Sequence, residues 1–536
     1  MPSSFDFVIV EGGTSGLVVA TRLSEIHRFR VLVLEAGGDH NNDPRYRATG
    51  MSPSLHGKRI YSSEPPPFSI CKRQLTTPKA GLNNRSVTVN QGKEMGGSSA
   101  INAQVFVPPT KANFDAWEAL GNEGWNWAML QKIVTRTYTY PSVEEKMEAA
   151  LGMDEWAAKN EAAKGPIRTS FPKVAVHEAW ANTMKALGYS MANDPFVGAM
   201  SGSFGNLLSI DPTTKERSCS ASAYYQPCKD RGNLVLLTGA YVEKILFDQE
   251  GGVKAVGVQY SHDGITKTVS ATKEVVLAAG TFQSPKILEL SDIGDTQLLT
   301  RLGIKPVRDL PGVGENLQDH LACGAMQEYA TSKSGALASI GIETYAYLPI
   351  LDHVSRDSLA WSPDSPASPV QGKLLTIATV LSQPLSPGTS HIRSADPTDA
   401  PVIDPAYLSH PVDAEVMAAQ MLQIEQIAAS EQLSSTFLVQ PLQRRDAASD
   451  CNGDREKAKR FARTSSTSMW HPTGTCAMLP MNKRGVVDIA LRVHGVQGMR
   501  VVDASVMPLV YNSNLQAVVY GVAERAADLI KAAWGA

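Results

Sequence analysis

One turn near the N-terminus constrains this chain more than any other feature. Asp6 to Val10 (DFVIV) is a short, almost wholly apolar run, the pattern of a strand buried on both faces of a parallel sheet. Glu11-Gly12-Gly13-Thr14-Ser15-Gly16 follows, and then Val19, Leu23 and Ile26 recur with helical spacing. Arg30 to Leu34 is a second apolar strand that ends at Glu35. Together these make a βαβ unit whose turn approaches the dinucleotide fingerprint. That fingerprint needs glycines for a tight bend, for close approach of backbone to a pyrophosphate, and for helix–strand packing. The helix N-terminus then offers its amides and dipole to the phosphates. Gly13 and Gly16 fill the second and third glycine positions, and Glu35 stands nineteen residues after Gly16, where an acid reaches a ribose. Glu11 occupies the first position. Alone, the turn also reads as plain strand–turn–helix punctuation.

At 536 residues the chain exceeds what one hydrophobic core usually serves. Two later strand-like runs, Glu274–Ala278 and Met499–Val502, each precede a helical pattern, at Ser284–Leu290 and Ala517–Ile530. The expected architecture is therefore α/β: a Rossmann-type nucleotide-binding domain assembled from residues 1–110, 211–324 and 461–536. Residues 111–210 and 325–460 are expected to form a second domain, with Ser355–Gln371, rich in Ser, Pro and Asp, as an exposed loop. Fifty basic against fifty-three acidic side chains give a net charge of −3, which makes no electrostatic case for nucleic acid or an anionic membrane. Six scattered cysteines lack metal-ligand or disulfide-framework spacing. The N-terminus enters a strand without a basic region, a long apolar stretch or a cleavage site, and no run approaches the roughly 20 apolar residues of a membrane span. A soluble, cytoplasmic protein is expected.

Two more segments stand out. Gly92-Lys93-Glu94-Met95-Gly96-Gly97-Ser98-Ser99-Ala100-Ile101-Asn102 suits a loop whose backbone lies against a flat ring or a phosphate, although its composition equally suits a flexible surface loop. Trp470-His471-Pro472-Thr473-Gly474-Thr475-Cys476 carries one histidine, and a lone histidine is more often a packing residue than a base. Asn512-Ser513-Asn514 lies further on, and only the fold decides whether Asn514 meets His471.

Taken in order, nine segments resemble the glucose–methanol–choline (GMC) oxidoreductase family across nearly the whole chain: VEGGTSG, VLVLEAGG, GKEMGGSSAIN, AWEALGNEGWNW, EVVLAAGTFQSPKILELSDIG, LPGVGENLQDH, PVIDPAYLSHP, WHPTGTCAM and VVDASVMPLVYNSNLQAVVYGVAERAADLI. The resemblance implies a Rossmann-type FAD domain and a substrate domain carrying an antiparallel sheet with flanking helices. It implies that Gly13, Thr14 and Ser15 lie on the FAD pyrophosphate, and Glu35 with Ala36 on the adenosine ribose. Gly97, Ser98, Asn102 and Ala103 would lie beside the isoalloxazine, and Val242 would hold the adenine through its backbone. Asp503 and Ala504 would complete the phosphate site, with Asn514 and Leu515 near the flavin ring. His471 matches the family's catalytic histidine and Asn514 its second active-site position. Some members attach FAD through a histidine in the Gly-Gly-Ser-Ser segment; none occurs here, where Ile101 stands closest, so non-covalent FAD is expected.

The chemistry so implied is oxidation of a small-molecule alcohol to an aldehyde or ketone. His471 takes the hydroxyl proton, Asn514 orients the hydroxyl, and a hydride passes to flavin N5. Dioxygen or another acceptor then reoxidises the flavin. The absence of a secretion signal fits an intracellular biosynthetic step. Two departures bear on the cofactor. Gln91 replaces a basic residue that often precedes the Gly-Lys pair in the family, and Glu11 puts a carboxylate in the phosphate turn. At about 4 Å and an effective dielectric of ~20, like charges repel by roughly 4 kcal/mol. The rival readings are a redox-neutral lyase, isomerase or cyclase on the same fold, and a non-catalytic binding protein.

Overall fold

The computed structural model describes residues 2–47, 71–142, 160, 162–171, 175–189, 194–198, 202–328, 344–348, 356–358, 374–437 and 446–536. The βαβ unit forms as its periodicity requires. Strand β1 (Ser4–Val10) and strand β2 (Val31–Leu34) are parallel and joined by helix α1 (Thr14–Leu23), whose Leu17, Val18 and Leu23 are fully buried. Each such side chain removed from water stabilises the fold by roughly 1.5–3 kcal/mol.

Later parts of the chain complete this sheet: β3 (Leu234–Leu237), β4 (Tyr241–Asp248), β5 (Lys254–His262), β6 (Ile265–Leu277) and β7 (Met499–Val501). The strand order is β3-β2-β1-β6-β5-β4, with β7 paired to the end of β6. β1, β2, β3, β6 and β7 run parallel, and β5 and β4 extend the sheet as an antiparallel meander. Helix α2 (Gly280–Leu290) follows β6, and helix α3 (Gln516–Ala533) follows β7.

The two late helices begin earlier than their periodicity indicates. In α2, Pro285 has no N–H for the carbonyl of Thr281, and the Thr475 hydroxyl donates to that carbonyl instead, at 2.5 Å. A long-range hydroxyl thus repairs what the sequence reads as a helix break. α1 and α3 are pinned together by Arg22, which donates Nε and Nη2 to the fully buried Glu524 at 2.9 and 2.8 Å. Tyr224 and Arg136 bond the same carboxylate at 3.0 Å each, so the buried charge is satisfied.

A second sheet of six strands is antiparallel throughout. It runs, in spatial order, Thr467–Ser468, Leu321–Glu328, Leu374–Leu381, Arg356–Ser358, Thr344–Leu348 and Gly202–Gly205. Helix Pro411–Ala429 packs Met417, Met421 and Ile424 into a cluster with Cys323 and Ile377 of this sheet. The loop expected over 355–371 lies outside the described residues except for 356–358, and those three form a strand rather than a loop. Among the described residues, no helix is long and apolar enough to cross a membrane.

Candidate active site

Strand register, not sequence proximity, brings the two histidines together. The segment leading into strand Leu321–Glu328 runs antiparallel to the segment around Thr467–Ser468, with Leu321 opposite Ser468 and Gln318 bridged to Thr473. That register sets His320 beside His471. Their Nδ1 atoms are 2.8 Å apart and their rings meet edge to face, with an interplanar angle of 83°. On the other side of the ring, Asn514 Nδ2 lies 3.2 Å from His471 Nε2. Asn514 is delivered by the loop before α3, so the expected His471–Asn514 meeting occurs.

The hydrogen bonds assign the tautomers. His320 Nε2 is 2.9 Å from the carbonyl oxygen of Tyr511, which only accepts, so the proton sits on Nε2. Neutral His320 then presents a lone pair at Nδ1, and His471 Nδ1–H must donate to it. This leaves His471 Nε2 without a proton, and the Asn514 amide donates to it. Both rings are neutral near pH 7. Burial lowers His320 to about 4, and enclosure followed by the charge of His320 holds His471 well below the ordinary histidine range.

Beneath the pair lies Asp319, buried at 3 % exposure. Oδ1 accepts from the backbone N–H of His471 at 2.8 Å, and Oδ2 accepts from the hydroxyls of Ser468 and Tyr407. Burial outweighs these bonds and pushes its carboxyl up to about 6. Trp470, just before His471, takes the left-handed backbone with φ of 55°. Such a residue persists only where its surroundings over-determine it. Asp319 and His320 were not singled out from the sequence; their signal was the QDH triplet set against the head of a strand.

The dinucleotide end shows a cradle that tolerates no extra atoms. A Cβ on Gly97 would stand 2.8 Å from Gly13 Cα, and one on Gly16 would stand 2.0 Å from the Glu11 carbonyl oxygen. Gly96 N donates to Gly12 O at 2.8 Å, so the Gly92–Asn102 segment rests on the fingerprint turn itself and is no free surface loop. No side chain caps α1 and no acid lies in its first turn, which leaves its leading amides open to an anion. The hydroxyl of Ser15, also in that turn, is buried without a partner among the described residues. These features fit a diphosphate.

Glu35 accepts from Gly12 N at 2.8 Å and Gly37 N at 2.7 Å through separate oxygens, which fixes it against the fingerprint turn. Thr14 heads α1, and Val242 is buried in the edge strand β4. Asp503 is committed elsewhere: Oδ2 accepts from Gly280 N at 3.0 Å and Ser284 Oγ at 2.6 Å, and Oδ1 accepts from Ser505 N at 2.7 Å. Its carboxylate therefore ties the turn after β7 to the start of α2, and Ala504 O in turn accepts from Gly474 N at 3.4 Å. Asn102 donates to Gln516 Oε1 at 2.8 Å and accepts from Arg217 Nη1 at 2.7 Å. Gln516 begins α3 beside Asn514 and Leu515, so one side-chain bridge ties the glycine–serine segment to the catalytic loop. Ala103 packs against a cluster of Val105, Val107 and Met469, next to Trp470.

Two sequence expectations about departures from the fingerprint resolve differently. Gln91 donates Nε2–H to Ala279 O at 2.6 Å and so braces the turn after β6. Glu11 does take the left-handed backbone that the missing glycine supplies elsewhere, with φ of 75°. Its carboxylate, however, does not lie on the phosphate turn as expected. Oε2 accepts from Ala36 N at 3.2 Å, beyond the end of β2, beside Glu35.

A Rossmann-type sheet with a diphosphate-sized cradle, beside an antiparallel sheet and a buried histidine pair, is the arrangement of a flavin-dependent oxidoreductase class. The family models for GMC oxidoreductases match residues 5–322 and 384–523, and the chain belongs to the GMC oxidoreductase family. It is 32% identical to "GMC oxidoreductase family protein Mala s 12" of Malassezia sympodialis, over 98% of this chain and 92% of that protein. It is also 32% identical to "Dehydrogenase citC" of Monascus ruber, over 98% of this chain and 96% of that protein. Among solved structures, an FAD-dependent oxidoreductase from Chaetomium thermophilum superposes with a TM-score of 0.85 at 28% identity, covering 99% of this chain and all (100%) of that one. The cofactor of this fold is FAD.

Proposed function

We propose that this enzyme oxidises a small-molecule alcohol to an aldehyde or ketone, with His471 Nε2 as the base. The observation that carries this reading is His471 Nε2 facing the Asn514 amide, 3.2 Å away. A hydroxyl entering between them meets one acceptor for its proton and one group that orients its oxygen without competing for that proton. Bound FAD would supply the acceptor for the hydride that leaves the carbon bearing the hydroxyl. Gly13, Thr14 and Ser15 hold the pyrophosphate, Glu35 the ribose, Val242 the adenine, and Gly97, Ser98, Asn102 and Ala103 with Asn514 and Leu515 the ring. The donor set suits non-covalent binding, since no histidine lies in the glycine–serine segment.

When His471 takes the proton, the resulting imidazolium still donates Nδ1–H to His320. His320 in turn donates to the Tyr511 carbonyl, so the new charge is spread along a chain of oriented dipoles. Dioxygen or another electron acceptor completes the cycle. The direct test is steady-state turnover of His471→Ala across a panel of small alcohols. Turnover falls about 10²–10⁴-fold, the usual contribution of a positioned base, while FAD content is unchanged. Normal turnover by this variant sinks the assignment. Product formation without flavin reduction turns the reading to the redox-neutral alternative.

A further inference from the structure

Arg217 is buried at 6 % exposure, and its backbone is held from two sides. Its N–H donates to Arg47 O at 3.0 Å, and the N–H of Ser218 donates to Ser209 O at 2.9 Å. From there the guanidinium reaches the end of the short helix Ser98–Ile101, where the last carbonyls of a helix have no partner within it. Nη1 donates to Asn102 O and to Asn102 Oδ1, each at 2.7 Å, and to Ser99 O at 3.3 Å. One charged nitrogen thus holds both oxygens of Asn102. Gln104, on the left-handed backbone with φ of 67°, donates its N–H to the same Oδ1 at 3.0 Å. Oδ1 therefore meets donors, which assigns the amide and leaves Asn102 Nδ2 to donate to Gln516 Oε1 at 2.8 Å.

We infer that Arg217 is a positioning residue for the flavin ring: it fixes the backbone at Asn102 and places a buried positive charge against it that favours the reduced flavin. The inference rests on the placement of Asn102 and Ala103 beside the ring proposed above, and not on the alcohol. Arg217 acts through Asn102 and is assigned no contact with substrate.

The charge persists where it is needed. Burial pulls the guanidinium down to about 10, so it stays protonated through neutrality. A charge enclosed by protein acts more strongly than one in water, because little solvent lies around it to screen it. Reduction adds electron density to a flavin, and a nearby cation stabilises the more electron-rich form. Charge beside the ring is one of the means by which a protein tunes flavin electronics. Glu94, 1 % exposed in the same glycine-rich segment, is an acid whose charge also reaches Arg217, and it offsets part of this effect. The expected size is about tenfold in relative affinity for reduced over oxidised FAD, or about 30 mV in the two-electron midpoint.

The test uses the FAD-loaded enzyme as wild type, Arg217→Lys, Arg217→Met and Arg217→Gln. The midpoint potential of the bound flavin is measured by slow reduction with xanthine and xanthine oxidase against a reference dye, with no alcohol present. Thermal melting of each protein reports its packing separately. Arg217→Met and Arg217→Gln lower the potential by the equivalent of about tenfold, while Arg217→Lys, which keeps the charge, stays close to the wild type. A neutral variant that melts early yet keeps the wild-type potential overturns the inference and leaves Arg217 a packing residue. An equal shift in all three variants overturns it too. If neither neutral variant retains FAD, retention by Arg217→Lys at the wild-type potential supports the inference, and loss of FAD from all three overturns it. Failure of the wild type to oxidise any alcohol sinks the proposed reaction alone, since the potentials are read without it.

Discussion

His471 donates its Nδ1–H to His320 Nδ1 across 2.8 Å, and in the proposed reaction this bond fixes which nitrogen of His471 meets the substrate. His320 is a positioning residue: it touches the base, and the Tyr511 carbonyl fixes its own tautomer. His320→Ala leaves the buried Nδ1–H of His471 without an acceptor, a loss of about 1–3 kcal/mol, or roughly 10–100-fold in kcat. It also takes the hydrogen-bond acceptor from the imidazolium of His471, so the acid limb of the kcat/KM profile moves toward lower pH. A fall in kcat with an unmoved limb means that His320 only supports packing.

The pH dependence of the wild type follows from the same enclosure. A base must be unprotonated, so activity is lost as pH falls through its folded pKa. Enclosure holds His471 well below the ordinary range near 6.5. The acid limb of kcat/KM therefore lies below that value, and the profile stays level through neutrality on its account. An acid limb at or above it contradicts the neutral, enclosed histidine described above.

In the proposed reaction Asn514 orients rather than abstracts. Asn514→Ala removes one hydrogen bond, worth about 0.5–1.5 kcal/mol net, so the variant is impaired by up to about tenfold but remains active. Asn514→Asp puts a negative charge where Nε2 needs a donor, and turnover falls further. A loss in Asn514→Ala equal to that of His471→Ala assigns Asn514 a proton-transfer role instead.

Local features carried the readable part of this molecule. The Asp6–Glu35 unit was legible because strand and helix periods and a glycine turn are encoded within thirty residues, and the register bears them out. The contact of His320 with His471 was not, because it depends on an antiparallel register between segments 151 residues apart. The start of α2 was hidden by Pro285, whose missing donor is made good by Thr475 from a distant segment. Residues 356–358 pair as a strand although their composition is that of a loop, because strand partners rather than intrinsic preference hold them. The backbone of Glu11 was foreseeable from the turn it replaces. The direction of its side chain was not, since a free amide at Ala36 decides it.

The central claim is that His471 draws a proton from an alcohol while FAD takes the hydride, and anaerobic mixing tests it most directly. Purified FAD-loaded protein is mixed with a panel of primary and secondary small-molecule alcohols, and the oxidised-flavin absorbance is followed in a single turnover. At least one alcohol bleaches the wild-type flavin and yields one equivalent of aldehyde or ketone, and His471→Ala bleaches about 10²–10⁴-fold more slowly. Equal bleaching rates in the two proteins, or carbonyl product without bleaching, contradict the account.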